Sequence, residues 1–301
     1  MKLTRRTLMQ TAATLALPRV AWSQATFSAD DIRLDTLSDG HLVLPALMTI
    51  GDAPAAEAAE VLAAHGITGD RLTPDCNVTL LRSGTRTVLF DVGAGPDFMP
   101  TAGKLWDALA ALDLDAGAVT DVVFTHAHPD HLWGLLDDFG DLSFPQAQYH
   151  MGQVEWDYWT DPDTVNTIDA GRQTFAVGAA NRLPLLQDRI TLFSDGAEVL
   201  PGVTARATPG HTPGHMAFQV GIGSGSVMIV GDSLVNHHLA FARPDWLSGS
   251  DQNPELAAET RLALLDQLTA DAVPIIGYHL PGGGQGHAER RGDAYGFVSA
   301  D

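Results

Sequence analysis

Residues Thr120 to Gly134 read TDVVFTHAHPDHLWG. The apolar, β-branched DVVFT is a short buried strand by pattern, and it empties into His126, His128, Asp130 and His131. On an extended segment His126 and His128, two apart, leave the same face, and Pro129 then turns the chain before Asp130 and His131. One segment therefore presents donors to two adjacent points. Neutral imidazoles with a carboxylate suit zinc, iron or manganese, and the lack of cysteine thiolates among them favours an open site over a closed structural one.

Further candidates lie downstream at strand ends and in turns. ATPGHTPGH holds His211 and His215 in a loop shaped by glycine and proline, VGDS puts Asp232 after an apolar run, and IIGYHLPG does the same for His279. The elements between them alternate. Asn77 to Leu81 and Thr87 to Asp91 read as strands joined around Ser83-Gly84, and Lys104 to Leu112 has helical spacing. Short strands follow at 190–193, 203–207, 216–220 and 226–230, and Glu255 to Leu268 reads as a helix. That order suggests two sheets with helices outside them and polar residues gathered where strands end.

With HAHPDH, TPGHTPGH, GDS and a late histidine in this order, the sequence resembles the metallo-β-lactamase superfamily from Asn77 to His279. The resemblance implies a four-layer αββα sandwich, two facing mixed sheets with helices outside, and two divalent metal ions, zinc foremost, at one edge. Carried over by position, His126, His128 and His211 are expected to hold the first metal, Asp130, His131 and His279 the second, with Asp232 bridging both. Asp91 and His215 are expected to stand behind the ligands, Asp91 supporting a histidine through its other ring nitrogen.

Such a pair of metals implies a hydrolase in which a metal-bridging hydroxide cleaves an ester-like bond, with Asp130 as candidate proton donor to the leaving group. Lactones, aryl esters and phosphotriesters are the expected substrates. The chain also resembles the exported methyl parathion hydrolase-like members, on YHLPGGGQGHAER, whereas Val235 stands where lactonases of the superfamily carry a tyrosine. Trp156 and Trp159 are candidate walls of an apolar pocket. Two rivals are an iron-dependent sulfur oxidoreductase on the same fold and a non-catalytic metal-binding protein; the complete ligand set favours hydrolysis.

The opening residues MKLTRRTLMQTAATLALPRVAWSQA combine a basic start, a short apolar run and a small-x-small site, which predicts a signal peptide over 1–23. Arg5-Arg6 resembles the twin-arginine type, so a periplasmic or secreted domain over 24–301 is expected. Cleavage would remove Lys2, Arg5, Arg6 and Arg19 and no acid, moving the formal charge from −20 to about −24. So acidic a protein repels phosphate backbones and anionic lipid, which argues against nucleic-acid partners, stable membrane association and polyanionic substrates. The expected partner is a small neutral or apolar ester-like molecule. Cys76 stands alone in the sequence, excluding an internal disulfide, and reads as a small core residue.

Overall fold

Alternation along the strands explains the layering. In RTVLF of β6 (Arg86–Phe90), Val88 and Phe90 belong to one hydrophobic cluster and Leu89 to another. In β13 (Gly225–Gly231), Val227 and Ile229 join the first of these, while Met228 and Val230 face a third. Successive side chains leave opposite faces of a strand, so each of these strands carries two buried faces.

The computed structural model describes residues 23–300, so the expected signal segment lies outside the described residues apart from Ser23. One seven-stranded sheet has the order β1 (Ser23–Ala29), β2 (Ile32–His41), β5 (Asp75–Ser83), β6, β7 (Asp121–Val123), β8 (Gln148–Gly152) and β9 (Ile190–Phe193). The other seven-stranded sheet runs from β10 (Glu198–Leu200) through β11 (Val203–Ala207), β12 (Met216–Ile222), β13, β14 (Ile275–Gly277) and β15 (Gln285–Arg291) to β16 (Ala294–Ser299). A two-stranded pair, β3 (Leu44–Pro45) with β4 (Arg71–Leu72), stands apart. Both large sheets are mixed: β6 to β9 pair in parallel, as do β13 and β14, and the other pairings are antiparallel.

Leu34, Val88, Phe90 and Val123 of the first sheet pack with Phe218, Val227, Ile229 and Ile276 of the second, forming the layer between the sheets. Outside the first sheet, Leu80, Leu89 and Val122 meet Leu105, Ala108 and Leu109 of helix Leu105–Ala111. Outside the second, Met228, Val230 and Ile275 meet Leu264, Leu265 and Leu268 of helix Pro254–Ala270. That helix starts sharply because Pro254 occupies its first turn and Asn253 Oδ1 accepts the Leu256 N–H at 3.1 Å. The expected αββα sandwich is the observed one. No helix among the described residues is long and apolar enough to cross a membrane.

The β1–β2 hairpin, β8 and the β15–β16 hairpin escape the apolar pattern. The cause in β2 is visible: Asp35 is fully buried there, satisfied by Arg33, Arg82 and Thr26 at 2.6–2.8 Å. A polar residue in a core position is tolerated when it is hydrogen-bonded, and it erases the alternation from the sequence.

Candidate metal centre

The candidate donors converge because the strands that deliver them stop together. Phe90 pairs with Val123 in parallel, and Gly231 with Gly277, so Asp91, Thr125, Asp232 and His279 leave their strands at one edge of the sandwich. Gly231 has φ of 50°, and a Cβ there would stand 2.7 Å from His215 Nε2; the turn into Asp232 requires glycine.

His126, His128 and His211 place their ligand atoms within 4.8 Å of one another. His211 Nε2 lies 2.9 Å from His128 Nδ1 and 3.3 Å from Asp232 Oδ2. Asp130 Oδ2 lies 3.4 Å from His131 Nε2 and 3.2 Å from His279 Nε2. Asp232 reaches His131 through Oδ1 and His279 through Oδ2, both at 3.3 Å, and so stands between the two groups. Every one of these side chains is buried, and short helix Pro129–Leu132 is the turn that separates the His126–His128 pair from Asp130 and His131.

The outward ring nitrogens are all held. His131 Nδ1 meets Asp91 Oδ2 at 2.8 Å, His211 Nδ1 meets Asp251 Oδ1 at 2.9 Å, His126 Nδ1 meets Thr125 Oγ1 at 3.0 Å and His279 Nδ1 meets the Asp75 carbonyl at 2.7 Å. Asp91 is a non-glycine residue at φ 66°, kept there by Thr125, whose N–H and hydroxyl each donate to its carboxylate at 2.8 Å. His215 accepts the Asp232 N–H on Nε2 at 2.9 Å and faces Thr208 Oγ1 through Nδ1, and burial lowers its pKa to about 3. It therefore holds the backbone of Asp232 rather than adding a donor to the cluster.

The inward atoms have the opposite character. His126 Nε2, His131 Nε2, Asp130 Oδ2 and Asp232 Oδ1 are buried with no hydrogen-bond partner among the described residues, although His131 Nε2 faces the two carboxylates at 3.3–3.4 Å and Asp130 Oδ2 faces His279 Nε2 at 3.2 Å. Orphaned buried polar atoms are costly, and four gathered in one cluster are explained by cations held among them. Burial, then the neighbouring imidazoles, pushes the pKa of His126 and His128 well below the usual range, as ligation requires. Burial disfavours ionised Asp232 as well, but His279 and His131 outweigh it and hold the carboxyl well below its ordinary value.

Three residues in this arrangement carry no short-range signal. Asp251, which orients His211, is itself faced by Arg261 at 3.4 Å, and Arg261 is buried in helix Pro254–Ala270, donating to the Pro244 and Trp246 carbonyls. Glu155, fully buried, accepts from Ala127 N–H (2.9 Å) and Trp159 Nε1–H (2.6 Å) on one oxygen, and from Thr212 hydroxyl (2.7 Å) and Gly214 N–H (3.0 Å) on the other. It ties the loop bearing His126 and His128 to the loop bearing His211. The expectation that Trp159 walls the pocket is corrected accordingly: its indole is buried, bonded to Glu155 and edge-on to His128 at 5.8 Å, and it does not line the cavity. Trp156 packs against the core and also does not line the cavity.

Cys76 is fully buried, with burial pushing its thiol up to about 12, and it lies within 4.8 Å of donor atoms of Asp130 and His279. Iodoacetamide at pH 8 is expected to leave it unmodified in the native protein and to alkylate it fully in urea, as read by mass spectrometry.

The cavity in front of the cluster has a volume of about 420 Å³ and is walled by Leu42, Leu44, Met48, Ile67, Phe98 and Phe175. His128, Asp130, His211, Asp232 and His279 form its floor. Residues 73–279 match the family model of the metallo-beta-lactamase superfamily. The chain belongs to the metallo-beta-lactamase superfamily. Family and donor set together make it a metal-dependent hydrolase of that superfamily.

An uncharacterized protein of Mycobacterium tuberculosis (strain H37Rv) is 26% identical over 213 residues, 68% of this chain and 86% of its own. Among solved structures, the hydrolase AbOPH of the beta lactamase superfamily is 25% identical with a TM-score of 0.87, covering 94% of this chain and 99% of that one. AidC, a dizinc quorum-quenching lactonase in complex with a product N-hexanoyl-L-homoserine, is 22% identical with a TM-score of 0.87, over 93% and 98% of the two chains.

Proposed function

We propose that this metallo-beta-lactamase superfamily member is an exported two-metal hydrolase that opens an ester-like bond, with lactones, aryl esters and phosphotriesters as its substrate classes. The supporting observation is the junction of a buried, orphaned donor cluster with a cavity whose lining is largely apolar, interrupted by Arg71, Arg172 and a few hydroxyl groups. Small-molecule sites combine such a wall with a few convergent polar groups. A neutral substrate fits the wall, and the acidic chain would repel a polyanion.

His126, His128 and His211 would hold one divalent ion, Asp130, His131 and His279 the other, and Asp232 would reach both; zinc is the first choice for these nitrogen and oxygen donors. Such ions, when bound, polarise a carbonyl or phosphoryl oxygen and bring the pKa of water down towards about 7. Asp91, Asp251 and Thr125 fix the imidazoles so that no reorganisation is needed as charge develops. Asp130 lines the cavity; its Oδ2 faces His131 and His279, which leaves Oδ1 to take up the proton that the added water gives and pass it to the departing oxygen. The apolar wall excludes water from the reacting bond and holds the acyl or aryl portion.

Export rests on the twin-arginine pattern of the first residues. A mature N-terminus near Gln24 in the periplasmic fraction supports it, and an intact Met1 in that fraction opposes it. For the reaction, lactones, aryl esters, phosphotriesters and β-lactams are to be assayed side by side with metal content measured in the same sample. Turnover of the first three classes above the β-lactams is expected; turnover of β-lactams alone would redirect the substrate assignment.

A further inference from the structure

His128 faces the donor cluster the opposite way round from the other histidines. His126, His131, His211 and His279 each turn Nδ1 outward to a protein partner. His128 instead points Nδ1 inward, 2.9 Å from His211 Nε2, and leaves its own Nε2 outward. Trp159 and Phe175 stand edge-on to this buried ring at 5.8 and 5.5 Å, and neither side chain can accept a conventional hydrogen bond. Among the described residues, Gln252 is the polar group that meets the outward nitrogen, with its carboxamide Nε2 at 3.3 Å from His128 Nε2.

Gln252 is held in place from several sides. Its backbone N–H donates to the His211 carbonyl at 3.1 Å, and the preceding Asp251 faces His211 Nδ1 through Oδ1 at 2.9 Å. Arg172 donates to the Gly249 and Asp251 carbonyls at 2.7 and 3.3 Å, and Arg261 reaches Asp251 Oδ2 at 3.4 Å. Two adjacent, anchored residues therefore address two histidines of one donor group.

We propose that Gln252 is a positioning residue that fixes Nδ1 of His128 as the metal-facing nitrogen, its carboxamide oxygen accepting the Nε2–H. A neutral ring that gives its Nδ1 lone pair to a cation carries its proton on Nε2, and two N–H groups cannot bond to each other. A half-turn of the carboxamide, whose two ends are nearly equal in size, brings Oε1 to the place of Nε2 and supplies the acceptor. Holding the outward nitrogen in this way fixes the tautomer and orientation of a ligating imidazole and makes it a better base towards the metal. The proposal rests on the first-metal ligands given above, and it adds a residue that touches neither metal nor substrate.

Two variants of the full chain test it. Gln252→Leu keeps the bulk of the side chain and removes the acceptor, whereas Gln252→Glu keeps acceptor oxygens at the same reach. In competition with a chromophoric chelator, the leucine variant is expected to bind one equivalent of zinc about tenfold or more weakly than the wild type, and the glutamate variant at least as tightly as the wild type. In the cobalt-loaded proteins, one paramagnetically shifted imidazole N–H proton signal of the wild type should persist in the glutamate variant and be lost to exchange with water in the leucine variant. Wild-type zinc affinity in the leucine variant, or a glutamate variant as weak as the leucine one, overturns the role of Gln252 and leaves the metal cluster standing. A wild-type protein that binds no zinc overturns the ligand set and the role of Gln252 together.

Discussion

Asp232→Ala is expected to lower kcat/KM towards any ester-like substrate by roughly a thousandfold or more, with the fold retained. Asp232 is the residue that touches both donor groups, lying 3.3 Å from each of His131, His211 and His279. Removing its carboxylate leaves those imidazoles without a shared anion and leaves any cations there with one fewer negative ligand. Metal content, kcat and far-ultraviolet circular dichroism on the same preparation check this. A variant that keeps native turnover with native metal content would show that Asp232 is not the bridge.

Glu155→Gln is expected to cost about 2–4 kcal/mol of stability and to speed loss of metal to a chelator. The carboxylate faces four donors and no acceptor, so the amide group of glutamine must point at Ala127 N–H and Trp159 Nε1–H or at Thr212 and Gly214 N–H. Either choice leaves two donors facing a donor in a buried site; the Thr212 hydroxyl can rotate, but the backbone and indole N–H groups cannot. Burial pushes the Glu155 carboxyl up, and the four donors oppose that shift. Urea unfolding measures the first effect and chelator competition the second. A stability change within about 0.5 kcal/mol would place the variant among ordinary surface substitutions and remove the bracing role.

Much of the site was legible because one short motif concentrates it. His126, His128, Asp130 and His131 lie within a single strand exit and turn, so their spacing alone states the geometry. His211, Asp232 and His279 were legible because apolar strands announce the ends from which they project. The braces behave differently. Asp251 stands 40 residues from His211, and Glu155 stands 28 and 59 residues from Ala127 and Gly214, so only the folded chain pairs them. In the sequence nothing local marks Glu155 of VEWDYW, and Trp159 is expected as a pocket wall. In the folded chain the acid is a buried anchor and the indole is its donor.

The same contrast applies to the layers. β6 and β13 were legible because both of their faces are apolar, whereas β2 buries Asp35 and Thr36 among its core positions. Ion pairing with Arg33 and Arg82 makes that burial tolerable, and no local pattern announces an arginine from a neighbouring strand.

Titration of zinc into chelator-stripped protein, with the rate on the best substrate of the panel followed, tests most directly whether two divalent ions held by this cluster carry out the proposed hydrolysis. No turnover is expected in the stripped protein, and the rate should reach its plateau at about two equivalents per chain. Turnover that persists without metal, or a fully loaded protein inert on every ester-like substrate, would contradict it.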